Sequence, residues 1–214
     1  MTPRVAILIS GGGSNMVTLV NAMRSDMIDA TPVVVISNIP TADGLQKARD
    51  LQVHPHAIDH RDYNGDRVAF ETDLHKVLIK FNVDIVCLAG FMRILTPFFV
   101  DKWRDRLVNI HPSLLPSFKG VHTHERAIDA GVKLHGCTVH FVRPEMDDGP
   151  IIGQAAVPVL PGDTPDSLAT RVLTAEHKLY PTCVKLVCEG KARVSGDKVR
   201  LNADSAGLLL NPGA

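Results

Sequence analysis

The chain has 214 residues, 45% of them hydrophobic and 21% charged, which is enough apolar material to bury a sizeable core. Its 23 Lys and Arg balance 23 Asp and Glu, so bulk charge gives no case for nucleic acid or a membrane surface, while a local anion pocket stays open. No apolar run approaches the ~20 residues that span a bilayer, and the opening VAILIS is too short for a signal sequence; the expectation is a cytoplasmic protein.

In chain order, RVAILIS reads as a strand, a glycine loop follows, and NMVTLVNAMRS reads as a helix. PVVVISN, TADGLQKARDLQ, VHPHAI, DRVAFETDLHKVLIKF and VDIVCLAG continue the alternation of strand and helix. Near-continuous apolar strands separated by helices predict a doubly wound, mostly parallel α/β sheet covered on both faces. VNIH closes that half. HGCTVHFV and GPIIGQAAVPV, joined by the polar RPEMDD, predict an antiparallel C-terminal addition. Residues 163–190 read as helix, capped by Thr164 with Pro165 in the first turn, and Pro181 is expected to kink or split it. KARVSGDKVRL reads as a hairpin around Gly196-Asp197, and the last dozen residues as loose. The expected organisation is one domain, with residues 1–110 one half, 111–190 a second, and 191–214 a hairpin and tail.

Ser10 to Asn15, SGGGSN, joins the first strand to the first helix. Glycines allow close approach of an anion, and the helix start offers free N–H groups. G-x-G-x-x-G would need glycine where Met16 stands, the second strand ends in Asn38 rather than an acid, and G-K-[ST] is absent. The loop therefore suits a mononucleotide or sugar phosphate better than NAD or ATP; the alternative is a tight turn without a ligand.

Ten histidines invite a metal reading. HPH (54–56) and HTH (122–124) lack a carboxylate or thiol spaced to complete a tetrahedron, so no metal is expected, and His54, His56, His60 and His75 read as solvated. Cys87, Cys137, Cys183 and Cys188 form no C-x-x-C pair and read as buried thiols in a reducing compartment. His111 differs from the other histidines. It ends an apolar strand at the carboxyl edge, where α/β sheets place ligands. Asn109 lies two residues earlier and so on the same side, and Pro112 stiffens the next step. An amide that donates to developing negative charge and an imidazole that shuttles a proton make a chemical pair; the alternative is a structurally bonded strand end. RPEMDDGP holds Glu145, Asp147 and Asp148, any of which could orient an imidazole or simply form a solvated turn.

Taken together, LISGGGSN, LAGFMRIL, NIHPSLLPSFKGVHTH, HGCTVHFV, DDGPII and AEHKLYP resemble the folate-dependent phosphoribosylglycinamide formyltransferases, over about Val5 to Gly190. The resemblance implies a Rossmann-like formyltransferase fold. It implies transfer of the formyl group of 10-formyltetrahydrofolate to the amine of glycinamide ribonucleotide through a tetrahedral intermediate, in purine biosynthesis. The same resemblance makes Asn109, His111 and Asp147 the catalytic trio. Gly13, Ser14 and Asn15 become the phosphate cradle, with Arg67 near the phosphate, Gly90 and Pro112 as backbone contacts to the nucleotide, and Glu176 as the acceptor of the substrate amine. Met92, Arg93, Ile94 and Leu95 form one folate wall, and Asn109 with Glu145, Met146, Asp147 and Asp148 another; taken singly, Phe91 and Met92 read as a buried strand end. Partners are small molecules only, and the state is monomer or homodimer. Two departures stand out: Asp148 replaces a second glycine common before Gly-Pro, and Leu173 replaces a polar side chain near the phosphate. A folate deformylase usually adds an N-terminal regulatory domain, and methionyl-tRNA formyltransferase a C-terminal RNA-binding domain. Neither is expected here, since the sequence opens on its first strand and about 25 residues follow Glu189 without a basic stretch. A nucleotide- or folate-sensing module is the non-enzymatic alternative.

Overall fold

The computed structural model describes residues 2–201 and 209–210. Two compact units divide between Asn109 and Ile110.

The first unit alternates strand and helix as the apolar runs require. β1 (Arg4–Ile9), α1 (Ser14–Arg24), β2 (Thr31–Ser37), α2 (Asp43–Asp50) and β3 (His54–Ala57) are followed by a 3-10 turn (His60–Tyr63), α3 (Arg67–Lys80), β4 (Ile85–Leu88), α4 (Pro97–Lys102) and β5 (Leu107–His111). The strands pair in the order β3-β2-β1-β4-β5, all parallel. Val5 to Ile9 are fully buried, the signature of a strand covered on both faces. Chain order reverses between β1 and β4, which makes the loops after these two strands the flanks of a switch point. Asp66 caps α3 by accepting the Ala69 amide at 2.9 Å. α4 and the 3-10 turn were not anticipated from the sequence; α4 is six residues long, and its Thr96-Pro97 start was the available signal.

The second unit contains α5 (Thr123–Asp129), β6 (Leu134–Phe141), β7 (Ile151–Pro158), α6 (Pro165–Cys188), β8 (Ala192–Ser195), β9 (Lys198–Leu201) and β10 (Leu209–Leu210). β6 and β7 are antiparallel, as are β8 and β9, while β10 runs parallel to β7. The antiparallel addition and the hairpin at Gly196-Asp197 match expectation. Thr164 caps α6 by accepting the Ser167 amide, in a reciprocal capping box. Pro181 does not split this helix, which runs unbroken for 24 residues. Proline forgoes one main-chain hydrogen bond, but Leu179, Tyr180, Pro181, Cys183 and Val184 are all buried, so packing holds the helix through the lost bond. Apart from Leu209 and Leu210, the tail expected to be loose lies outside the described residues.

Candidate active site

Within the first unit, Ser10 ties the carboxyl edge together. Its amide donates to the Gly90 carbonyl at 3.1 Å. Its hydroxyl donates to Asn38 Oδ1 at 2.6 Å and accepts the Met92 amide at 2.8 Å. Asn38, at the position where an NAD fold would carry an acid, is thus committed to structure.

The glycine loop is drawn onto α2: Gly44 donates its amide to the Gly11 carbonyl at 3.1 Å, and Lys47 Nζ donates to the Gly12 carbonyl at 2.8 Å. Gly13 caps α1 at φ 69°, a left-handed conformation that favours glycine, and an added Cβ would press on Gly44 Cα at 3.2 Å. Ser14 is exposed and Asn15 buried in the first turn, where main-chain N–H groups and the helix dipole favour an anion. Arg67 opens α3 and is exposed, Gly90 holds φ 74°, and Asn109 is half-buried on β5.

After β4, Phe91 and Leu95 are buried, but Met92 is 72% and Ile94 58% exposed. The reading of Met92 as part of a buried strand end is therefore corrected: β4 stops at Leu88, and the loop turns alternate apolar side chains outward. The Arg93 guanidinium lies over the Phe70 ring, 5.3 Å from its centre. The far end of this loop is anchored by buried Glu71, which accepts the Thr96 amide at 2.8 Å and the Thr96 hydroxyl.

Within the second unit, His111 is 6% exposed. Its Nε2 stands 3.1 Å from the Phe118 carbonyl, which can only accept. We therefore assign the Nε2 proton, which leaves Nδ1 to take up and release a second one. Nδ1 faces Asp147 Oδ2 at 3.5 Å. That carboxylate is itself held, since the Gly120 amide donates to Oδ2 at 2.8 Å. His140 Nε2 lies 4.0 Å from its other oxygen, while His140 Nδ1 bonds the Phe141 carbonyl at 3.0 Å. Burial pushes the His140 pKa down, so a neutral imidazole sits beside the carboxylate.

The 112–122 segment is stiffened by more than its prolines. The Ser113 hydroxyl donates to the Ser117 carbonyl at 2.6 Å, and the Thr123 hydroxyl to the Pro112 carbonyl at 2.7 Å. Gly149 sets the register of the acidic loop, because a Cβ there would fall 1.6 Å from the Phe141 carbonyl oxygen. Glu145 and Met146 are exposed, Asp148 pairs with Lys119, and Glu176 is buried on α6 beside Cys137, whose thiol pKa is raised by burial and by that negative charge. Leu173 is half-buried. A cavity of about 470 Å³ is lined by Leu115, Pro116, residues 147–151 and the hairpin tip 197–199. The sequence pattern gave no sign that the hairpin would line it.

Phe118, Gly120 and His140 each contact His111 or Asp147, with Lys119 between the first two in the chain, and none of the four was singled out as functional from the sequence. The peripheral histidines also differ from expectation. His54 is exposed, but His60 Nδ1 bonds the Asn38 carbonyl at 2.8 Å, His56 is half-buried, and His75 packs edge-on against Trp103 at 5.9 Å. Strand-edge and helix-face packing covers them where local sequence suggested solvent. Among the described residues, no group of three or more His, Cys, Asp or Glu is placed to hold a metal ion, and no helix is long and apolar enough to cross a membrane. Cys87, Cys137 and Cys183 are buried and Cys188 half-buried, all as free thiols.

These features are those of an α/β protein with a glycine loop opening a helix in the first unit and a histidine–carboxylate pair in the second, an arrangement chemically suited to an anion and to proton transfer respectively. The family model described as "Formyl transferase" matches residues 3–184. Phosphoribosylglycinamide formyltransferase of Escherichia coli is 41% identical over 190 residues, covering 89% of either chain. The trifunctional purine biosynthetic protein adenosine-3 of Bos taurus is 51% identical over 191 residues, covering 89% of this chain and 19% of that protein. The chain thus spans about a fifth of the length of that relative. A crystal structure of glycinamide ribonucleotide transformylase 1 from Symbiobacterium toebii matches with a TM-score of 0.91 at 42% identity over 94% of each chain. The chain belongs to the formyl transferase family.

Proposed function

We propose that the protein transfers the formyl group of 10-formyltetrahydrofolate to the amine of glycinamide ribonucleotide, as a cytoplasmic enzyme of purine biosynthesis acting on small molecules without a metal. The observation that carries this reading is the pairing of buried His111 with half-buried Asp147, fixed at both members by one short segment, Phe118 to Gly120. The family match supports formyl transfer as the chemistry, and the relatives named above support the acceptor.

The folate supplies an activated formyl carbon. The substrate amine attacks it, an oxyanion forms, and collapse breaks the bond to the folate nitrogen. Asn109 donates its amide to the oxyanion. His111 holds at Nδ1 the proton that leaves the amine and passes it on to the departing nitrogen, so protons balance over the cycle. Asp147 stabilises the imidazolium that forms between these steps. Glu176 orients the amine. Gly13, Ser14 and Asn15 hold the phosphate through the start of α1, with Arg67 nearby, and Gly90 and Pro112 offer main-chain contacts to the nucleotide. Exposed Met92 and Ile94, with Arg93 and Leu95, suit a flat heteroaromatic ring, as do exposed Met146 and the polar Glu145, Asp147 and Asp148.

The test mixes the protein with 10-formyltetrahydrofolate, with and without glycinamide ribonucleotide, and follows folate absorbance. Turnover that requires the ribonucleotide is expected. Equal turnover without it would replace the transferase with a hydrolase that uses water as acceptor.

A further inference from the structure

Lys119 and Asp148 form an ion pair between the segment after β5 and the loop after β6. The placement matters because of their neighbours. Lys119 lies between Phe118, whose carbonyl holds His111, and Gly120, whose amide holds Asp147. Asp148 directly follows Asp147. The ion pair therefore joins the same two segments one residue away from each contact that orients the reacting pair.

Both segments need external support. Phe118 and Asp147 adopt φ of 54° and 52°, a left-handed conformation that costs non-glycine residues free energy unless the surroundings impose it. Arg126 on α5 grips the first segment. Its guanidinium donates to the Lys119 carbonyl at 2.7 Å and to the Val121 carbonyl at 3.3 Å, and lies 5.6 Å from the centre of the Phe118 ring. Gly149 anchors the second segment against the Phe141 carbonyl. The Gly120–Asp147 hydrogen bond crosses from one segment to the other, and the Lys119–Asp148 pair flanks it.

We propose that Lys119 and Asp148 are positioning residues whose ion pair keeps the Gly120 amide on Asp147, and so keeps that carboxylate facing Nδ1 of His111. This rests on the reading of His111 and Asp147 given above. The pair is part-exposed, with side chains 34% and 56% accessible, so its effect is modest and salt-sensitive.

Parent, Lys119→Ala, Asp148→Ala, the double variant and Lys119→Arg are compared by kcat at saturating substrates, at low and high salt. Hydrogen exchange of the Gly120 amide is measured on the same proteins. Each alanine variant should lose roughly two- to fivefold in kcat at low salt, with KM for the ribonucleotide unchanged. The double variant should be no slower than either single, because one interaction is lost in all three. Lys119→Arg should retain parental kcat, and high salt should shrink the parent's advantage. Gly120 exchange should quicken by a similar factor in each alanine variant. Unchanged kcat and exchange in the singles, or losses that multiply in the double, would overturn the proposal. A parent without formyl transfer would sink the enzymatic reading instead, while amide exchange would still decide the role of the ion pair.

Discussion

Asp147 Oδ2 stands 3.5 Å from His111 Nδ1 and accepts the Gly120 amide at 2.8 Å, so the carboxylate is oriented by main chain before any proton moves. On the proposed mechanism, a proton taken up at Nδ1 would meet this oriented carboxylate. His111→Ala should lower kcat by roughly 10²–10⁴, the range for a positioned acid–base group. Asp147→Asn keeps the shape and removes the charge, and should cost at least about 10² in kcat. Near-parental steady-state rates in both variants would return the pair to a structural role.

Asn109 occupies a half-buried position two residues before His111 on β5. Asn109→Ala should lower kcat by roughly 10²–10³ while KM changes little, as for a donor that acts on the developing oxyanion. A rise in KM alone would make Asn109 a ground-state binding group.

Inorganic phosphate should compete with the ribonucleotide by occupying the start of α1. Gly13→Ala should raise the ribonucleotide KM, since alanine is strained at φ 69° and its Cβ would crowd Gly44. Inhibition kinetics showing no rise in apparent KM at high phosphate would remove the cradle assignment.

Acid should destabilise the second unit through its buried imidazoles. His135 is 1% exposed, and burial pushes its pKa down to about 4, with a nearby His124 charge acting in the same direction and the Pro112 main chain opposing. His124, edge-on to it at 5.3 Å, is also lowered by burial. A histidine depressed in the folded state binds fewer protons than in the unfolded chain, whose value is 6.5. Stability is therefore full above pH 6.5 and falls as pH drops toward 4, by up to about 1.4 kcal/mol per pH unit for His135. Below pH 4 its contribution to the slope ends. Denaturant unfolding across this range should show the decline, and His135→Phe should flatten it. Equal slopes in the two proteins would exclude His135 as the source.

Glu71 is 1% exposed and receives the Thr96 amide and hydroxyl, pinning the loop that carries Met92 to Leu95. Glu71→Ala strands both donors and should cost about 1–3 kcal/mol in unfolding free energy. Asp73→Ala, two residues on and part-exposed, should cost well under that, which makes it the control in the same denaturant series.

The order of strands and helices, the antiparallel addition and the C-terminal hairpin were legible because each depends on near neighbours: periodicity, a capping threonine, a glycine at a turn. So was the candidacy of Asn109 and His111, which share a strand, and of the glycine loop, which precedes a helix. The split allowed for at Pro181 is absent because the local rule registers a lost hydrogen bond and not the buried face around it. Short elements such as α4 and α5 carry too few residues for periodicity to show. What only the tertiary structure decided lies in contacts between distant positions: Gly120 with Asp147 across 27 residues, Lys119 with Asp148 across 29, and Met92 with Ser10 across 82. The sequence singled out the glycine loop and the Asn109–His111 strand end, and the family resemblance picked Asp147 from three neighbouring acids. Which amide orients the acid, which cation neutralises its neighbour and which hydroxyl joins the strand ends depend on where the folded sheet brings separate loops together. No pattern of adjacent residues encodes that placement, because it is set by packing of the whole unit rather than by the backbone preferences of any one segment.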